Sequence, residues 1–233
     1  MANEYNDLHE LVMDPLFPEI DVKLRSGWHC DEEEIQSYDF ITQALDWLTI
    51  YYDLYGCELV YASEGYYYLR SVSNLIKTYS LGFETMVVSQ FLALMKLDPQ
   101  YLETSGFFDL QELMDKIELL LGKNQISRIF LKRKKDREMV GEHDILNFQQ
   151  AVKRSLRELA RLGFVTLNTD FSKIYPRKPI FRFVDPVRHT EDPQEALESL
   201  VRGENPFDLE SNGEEEAEIE FDSETELEDA DEE

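Results

Sequence analysis

The chain has 233 residues, with 49 Asp and Glu against 23 Lys and Arg, and a formal charge of −26. That length holds one or two domains, and so large an acid excess argues against a protein that coats nucleic acid with its whole surface. Cys30 and Cys57 are too few for a disulfide framework and fit a reducing, cytoplasmic setting. The N-terminus carries Glu4, Asp7 and Glu10 and does not read as a signal peptide, and no apolar run reaches the ~20 residues that span a bilayer.

The elements in chain order suggest two copies of one module. Residues 1–13 read as a loose lead-in. Asp14-Pro15 opens a helix, with Asp as N-cap and Pro in the first turn, which runs to Gly27. Trp28–Cys30 reads as a short strand, Asp31–Ser37 as a short acidic helix, and Tyr38–Tyr55 as one long helix ended by Gly56. Strand CELVYA, a tight loop at Ser63-Glu64-Gly65 and strand YYYLR close the first copy. The second begins near Ser80, with an apolar helix over Leu81–Leu97. Phe107-Phe108 reads as a short strand. Asp109–Leu121 reads as a helix with Glu112 in the capping-box place. Residues 122–144 read as a Lys/Arg-rich insertion.

The segment QQAVKRSLRELARLG then shows a 3.6-residue pattern. At 100° per residue, Ile145, Phe148, Val152, Leu156, Leu159 and Leu162 share one face, and Lys153, Arg154, Arg157 and Arg161 gather opposite. Gly163 stops the helix. FVTLN reads as a strand, TDFSKIYPRKP as a charged loop and IFRF as a second strand. Helix, strand, basic loop, strand is the order of a recognition helix with its wing. Lys173, Arg177 and Lys178 on the wing join the helix cations as candidate phosphate contacts. The plainer reading is a solvated basic face.

The expected fold is thus mainly α with small β wings (α+β): winged-helix domains at 1–78 and 79–190, a short helix at 191–203 and a disordered acidic tail at 204–233. Charge divides along these lines. Residues 1–122 carry −16, residues 123–190 carry +9, residues 191–203 carry −3 and residues 204–233 carry −16. The tail holds too few apolar residues to offset its ordering entropy.

The long helix of the first copy has no Lys or Arg and carries Asp39, Asp46 and Asp53, so phosphates would be repelled there. Its apolar positions span an arc of roughly 200°, where one core needs little over 100°. Trp47, Tyr51 and Tyr52, with Tyr66, Tyr67 and Tyr68 on the strand, are therefore candidates for a protein interface. A deeply buried central helix is the alternative.

DPLFPEIDVKLRSG (14–27), EGYYYLR (64–70), SLRELARLGFV (155–165), IFRF (180–183) and EDPQEALESLVR (191–202), in this order, resemble the MukE family. The resemblance spans 14–202 and continues into an acidic tail. It implies a tandem winged-helix subunit of a bacterial condensin, dimeric and held by the kleisin MukF, which joins it to the SMC-like ATPase MukB. It also implies a place on the nucleoid, in a complex that organises and segregates the chromosome and clamps DNA partly against the second winged helix. In the family pattern a pair of basic residues precedes the closing Leu-Gly; here Ala160 takes the first place.

Motifs for chemistry are missing. Gly122-Lys123 lacks the spaced first Gly of a P-loop, there is no H-E-x-x-H or paired C-x-x-C, and His29-Cys30 is not spaced for zinc. The reading is a non-enzyme without cofactor or metal that binds double-stranded DNA nonspecifically and meets no membrane. Two alternatives stay open: a sequence-specific winged-helix regulator, and a pure protein scaffold.

Overall fold

A computed structural model of the chain describes residues 5–73, 75–76, 79–98, 106–131, 141–187 and 195, without the side chains of 185–187. The expected helix at 191–203, the acidic tail and the basic run after Leu131 fall, except for Glu195, outside the described residues.

The N-terminal half runs α1 (Leu8–Val12), α2 (Phe17–Arg25), β1 (His29–Asp31), α3 (Ile35–Gln43), α4 (Leu45–Asp53), β2 (Cys57–Ala62) and β3 (Tyr66–Ser71). The C-terminal half runs α5 (Phe83–Leu97), β4 (Phe108–Asp109), α6 (Leu110–Phe130), α7 (Glu142–Arg161), β5 (Val165–Leu167), β6 (Lys173–Pro176) and a 3-10 segment, Lys178–Val187. The protein is α+β and winged-helix-like. Its two antiparallel sheets repeat one order, β1-β3-β2 and β4-β6-β5, with the last strand in the centre each time. Each half has its own apolar core, one around Ile20, Ile41, Leu48 and Tyr52 and one around Phe91, Leu113, Phe148 and Leu156.

Local signals set several elements as expected. The Asp109–Glu112 capping box is formed at the start of α6. The tight loop at 63–65 joins β2 to β3. α7 ends where Gly163 takes φ +80°.

Other elements differ. The lead-in is not loose: Asp7 caps α1 by accepting from the Glu10 N–H at 2.8 Å, Leu11 is fully buried, and Trp47 donates its indole N–H to the Tyr5 carbonyl at 3.0 Å. Asp14 is not the N-cap of α2; its carboxylate accepts from the Leu16 N–H in the turn before. The Asp31–Ser37 stretch is a turn running into α3, and the expected long helix is two, broken at Ala44, where the backbone leaves helical values (φ −98°, ψ 9°). The two short helices and the residue between them bury Phe40, Ile41, Ala44, Leu48 and Tyr52 in one core. This absorbs much of the broad apolar arc.

In the C-terminal half, α6 runs on into the expected insertion with a kink at Gly122 (φ 70°). IFRF is not a strand. The partner of β5 is β6, seven residues nearer, and IFRF lies in the 3-10 segment, where Ile180 and Phe183 pack into the C-terminal core.

Candidate nucleic-acid interface and the junction behind it

Helix α7 supports the candidate surface. Phe148, Ala151, Val152, Leu156 and Leu159 are buried on α5 and α6. Ile145, expected on that face, is 50% exposed. On the far side Arg154, Arg157 and Arg161 are exposed and Lys153 is half-buried. Among the described residues none of these four is in an ion pair. The one carboxylate within that stretch, Glu158, is engaged elsewhere: it accepts from the Tyr79 and Thr85 hydroxyls, each at 2.5 Å.

Aromatic rings orient two of the guanidinium groups. Arg157 lies 4.7 Å over Phe171 and Arg161 lies 4.8 Å over Tyr79. A guanidinium stacked on a ring keeps its charge and most of its N–H donors for a ligand. Lys153, Arg154 and Arg157 border an open concavity of about 760 Å³ beside Asn147 and Gln150. The arrangement suits phosphate oxygens.

The wing divides the remaining candidates. Lys173 is half-buried on β6, its ammonium 4.2 Å over the Phe107 ring and on the outer side of the sheet. Arg177 is placed differently from the expected wing cation: it is 4% exposed. Its guanidinium closes on Asp31 and donates to Glu34 at 3.1 Å, with Glu33 at 3.6 Å. Lys178 is half-buried, its ammonium 2.7 Å from Glu32 and its backbone N–H bonded to Asp31. Both charges are thus matched by the acidic run of the N-terminal half and do not face a free phosphate.

Arg177 and Asp31 belong to a junction between the halves. The His29 N–H donates to the Leu162 carbonyl at 2.9 Å, and the Arg177 N–H donates to the Phe164 carbonyl at 2.9 Å. Lys96 caps the Pro176 and Arg177 carbonyls at 2.8 and 2.9 Å. Gly163 makes the close approach possible, since a Cβ there would meet the His29 carbonyl oxygen at 2.2 Å. The His29 ring is 3% exposed, packed on Phe164 and stacked with Tyr68. Arg182 meets its Nε2 at 2.7 Å. Burial, reinforced by the Arg182 charge, pulls the imidazole down to about 3.

Three of the six aromatic interface candidates are taken up by this chain's own packing. Tyr52, Tyr66 and Tyr67 are buried and leave no surface for a partner. Trp47 and Tyr51 are half-buried, the latter against Phe17 and bonded to Arg25. Tyr68 lies in the junction between His29 and Arg182. The exposed apolar surface of the long-helix region falls instead on Ile50, Leu54 and Tyr55, at 51%, 70% and 39% exposure. Residue order had not singled out Asp31, Glu34, Arg182 or Gly163 as a junction. The run of acids directly after a short strand was the available signal.

The architecture defines a helix-and-wing class of protein, and no helix among the described residues is long and apolar enough to cross a bilayer. A family model described as the MukE-like family matches residues 5–233. Chromosome partition protein MukE of Escherichia coli (strain K12) is 33% identical over 207 residues, covering 88% of this chain and 87% of that protein. Its counterpart in Vibrio cholerae is 32% identical over 197 residues, covering 84% of each. The chain belongs to the MukE family of chromosome partition proteins.

Proposed function

We propose that the chain is a non-catalytic subunit of a MukBEF-type condensin, acting in the cytoplasm at the nucleoid. It holds duplex DNA with the outer face of α7 while the N-terminal half meets protein partners. The observation that carries this reading is a row of cations, Lys153, Arg154, Arg157 and Arg161, with no ion pair among the described residues, on one helix of a chain whose relatives are named chromosome partition proteins. Lys173 extends the row onto the wing. Contacts of this kind go to phosphates, so binding is nonspecific and salt-sensitive. The acidic helices α3 and α4 repel DNA and leave Ile50, Leu54 and Tyr55 for a kleisin of the MukF type or for a second copy of the chain. Through the kleisin the subunit joins an SMC-like ATPase of the MukB type.

The test is a titration of the full chain, alone and with its kleisin, against unrelated duplexes at several salt concentrations. Affinity should fall steeply with salt and differ little between sequences. Flat salt dependence, or one duplex preferred by about 10³ or more, counts against the reading and favours a site-specific regulator.

A further inference from the structure

The outer face of the second sheet carries two rings, Phe107 and Tyr175, that duplex binding does not use. Along β6, Ile174 and Pro176 are buried while Lys173 and Tyr175 are half-exposed on the other side, the period of two that a strand imposes. Phe108 of β4 pairs with Ile174, which sets Phe107 beside Tyr175, ring centroids 5.6 Å apart. The Lys173 ammonium lies 4.2 Å over Phe107. In the turn just before β6, Phe171 supports Arg157 of α7 at 4.7 Å. The face therefore interleaves rings with cations.

The turn that presents it is well braced. Phe171 has φ 61°, the one non-glycine residue in the left-handed region among the described residues. Asn168 fixes the turn from both sides: its carbonyl accepts from the Phe171 N–H at 3.1 Å and its side-chain oxygen from the Lys173 N–H at 2.9 Å. Asp170 accepts from the N–H and the hydroxyl of Ser172 at 3.1 and 2.9 Å. Asp109, opposite Lys173 in register, is engaged in capping α6. The nearby carboxylates thus have partners of their own.

We infer that this face binds unpaired DNA, with bases stacked on Phe107 and Tyr175 and phosphates on Lys173 and Arg157. A cation serves a duplex and a single strand alike. A half-exposed ring serves only a base free to leave its stack, and it accepts any base because each has a π face. The inference rests on the α7 reading through Arg157, and it adds a ligand class: strands opened or gapped near the clamp.

The experiment measures full-chain binding to an oligothymidylate and to a duplex of equal length by fluorescence anisotropy at low salt. Phe107→Leu with Tyr175→Leu keeps apolar bulk and removes both π faces. It should weaken single-strand binding roughly tenfold or more and change duplex affinity far less, in a protein that remains folded. Phe107→Tyr with Tyr175→Phe should bind the single strand as the parent does. Unchanged single-strand affinity in the leucine variant overturns the inference and leaves the duplex reading standing, as does a parent chain that binds duplex alone. A parent that binds the single strand but no duplex defeats the duplex reading while this one survives; a parent that binds neither defeats both.

Discussion

Arg177 and Asp31, 146 residues apart in sequence, close on each other in a buried ion pair that ties the wing of the C-terminal half to the first strand of the N-terminal half. Their side chains are 5% and 1% exposed. Removing one partner leaves the other charged and desolvated. Arg177→Ala should therefore cost about 3–5 kcal/mol in urea unfolding. Arg177→Met with Asp31→Leu should recover much of that loss, since no lone charge remains. A double substitution as unstable as the single one would show that the pair is not the tie.

Gly163 and Gly122 offer a contrast at similar backbone angles. Both have positive φ, +80° and +70°, but a Cβ at 122 meets nothing within 4 Å whereas one at 163 meets the His29 carbonyl oxygen. Gly122→Ala should cost about 1–2 kcal/mol of backbone strain alone. Gly163→Ala should cost clearly more, because the halves must move apart. Chemical denaturation of the two variants gives the comparison, and equal losses would contradict the close packing.

His29 ties stability to pH. Its folded pKa of about 3 lies below the ordinary value of 6.5. Between those values the unfolded chain binds a proton that the folded chain refuses. This contribution is full above about pH 6.5 and is lost as pH falls toward 3, by up to about 1.4 kcal/mol per pH unit. Urea midpoints for the parent and His29→Gln should therefore diverge at neutral pH and converge on acidification. Parallel pH profiles would show that His29 titrates normally.

The acidic tail, residues 204–233 with charge −16, should compete with DNA for the cations of α7. Deleting it should raise duplex affinity at low salt, and the gain should vanish as salt screens the field. No change at low salt would reject the competition.

Much of the architecture was legible because its signals are local. The Asp109–Glu112 box, the stop at Gly163 and the opposed faces of α7 each depend on residues within one or two turns. What was missed depends on distant partners. Arg177 looked like a wing cation because nothing near it in sequence announces Asp31. Ile-Phe-Arg-Phe alternates like a strand, yet the Arg177 N–H goes to Phe164 and the chain turns there into a 3-10 segment that fills the core. Tyr52 looked like interface because the break at Ala44 was not legible, and Tyr66 and Tyr67 because the strand β1 that pairs with theirs lies far off in sequence.

The most direct test of the central claim is duplex binding by Arg157→Glu with Arg161→Glu. Both residues are exposed on the face of α7 away from the core, so the fold should persist with an unchanged Tm. The account predicts a loss of duplex affinity of about tenfold or more and a salt dependence shallower by roughly two phosphate contacts. Parent-like affinity and slope in a folded variant would contradict it.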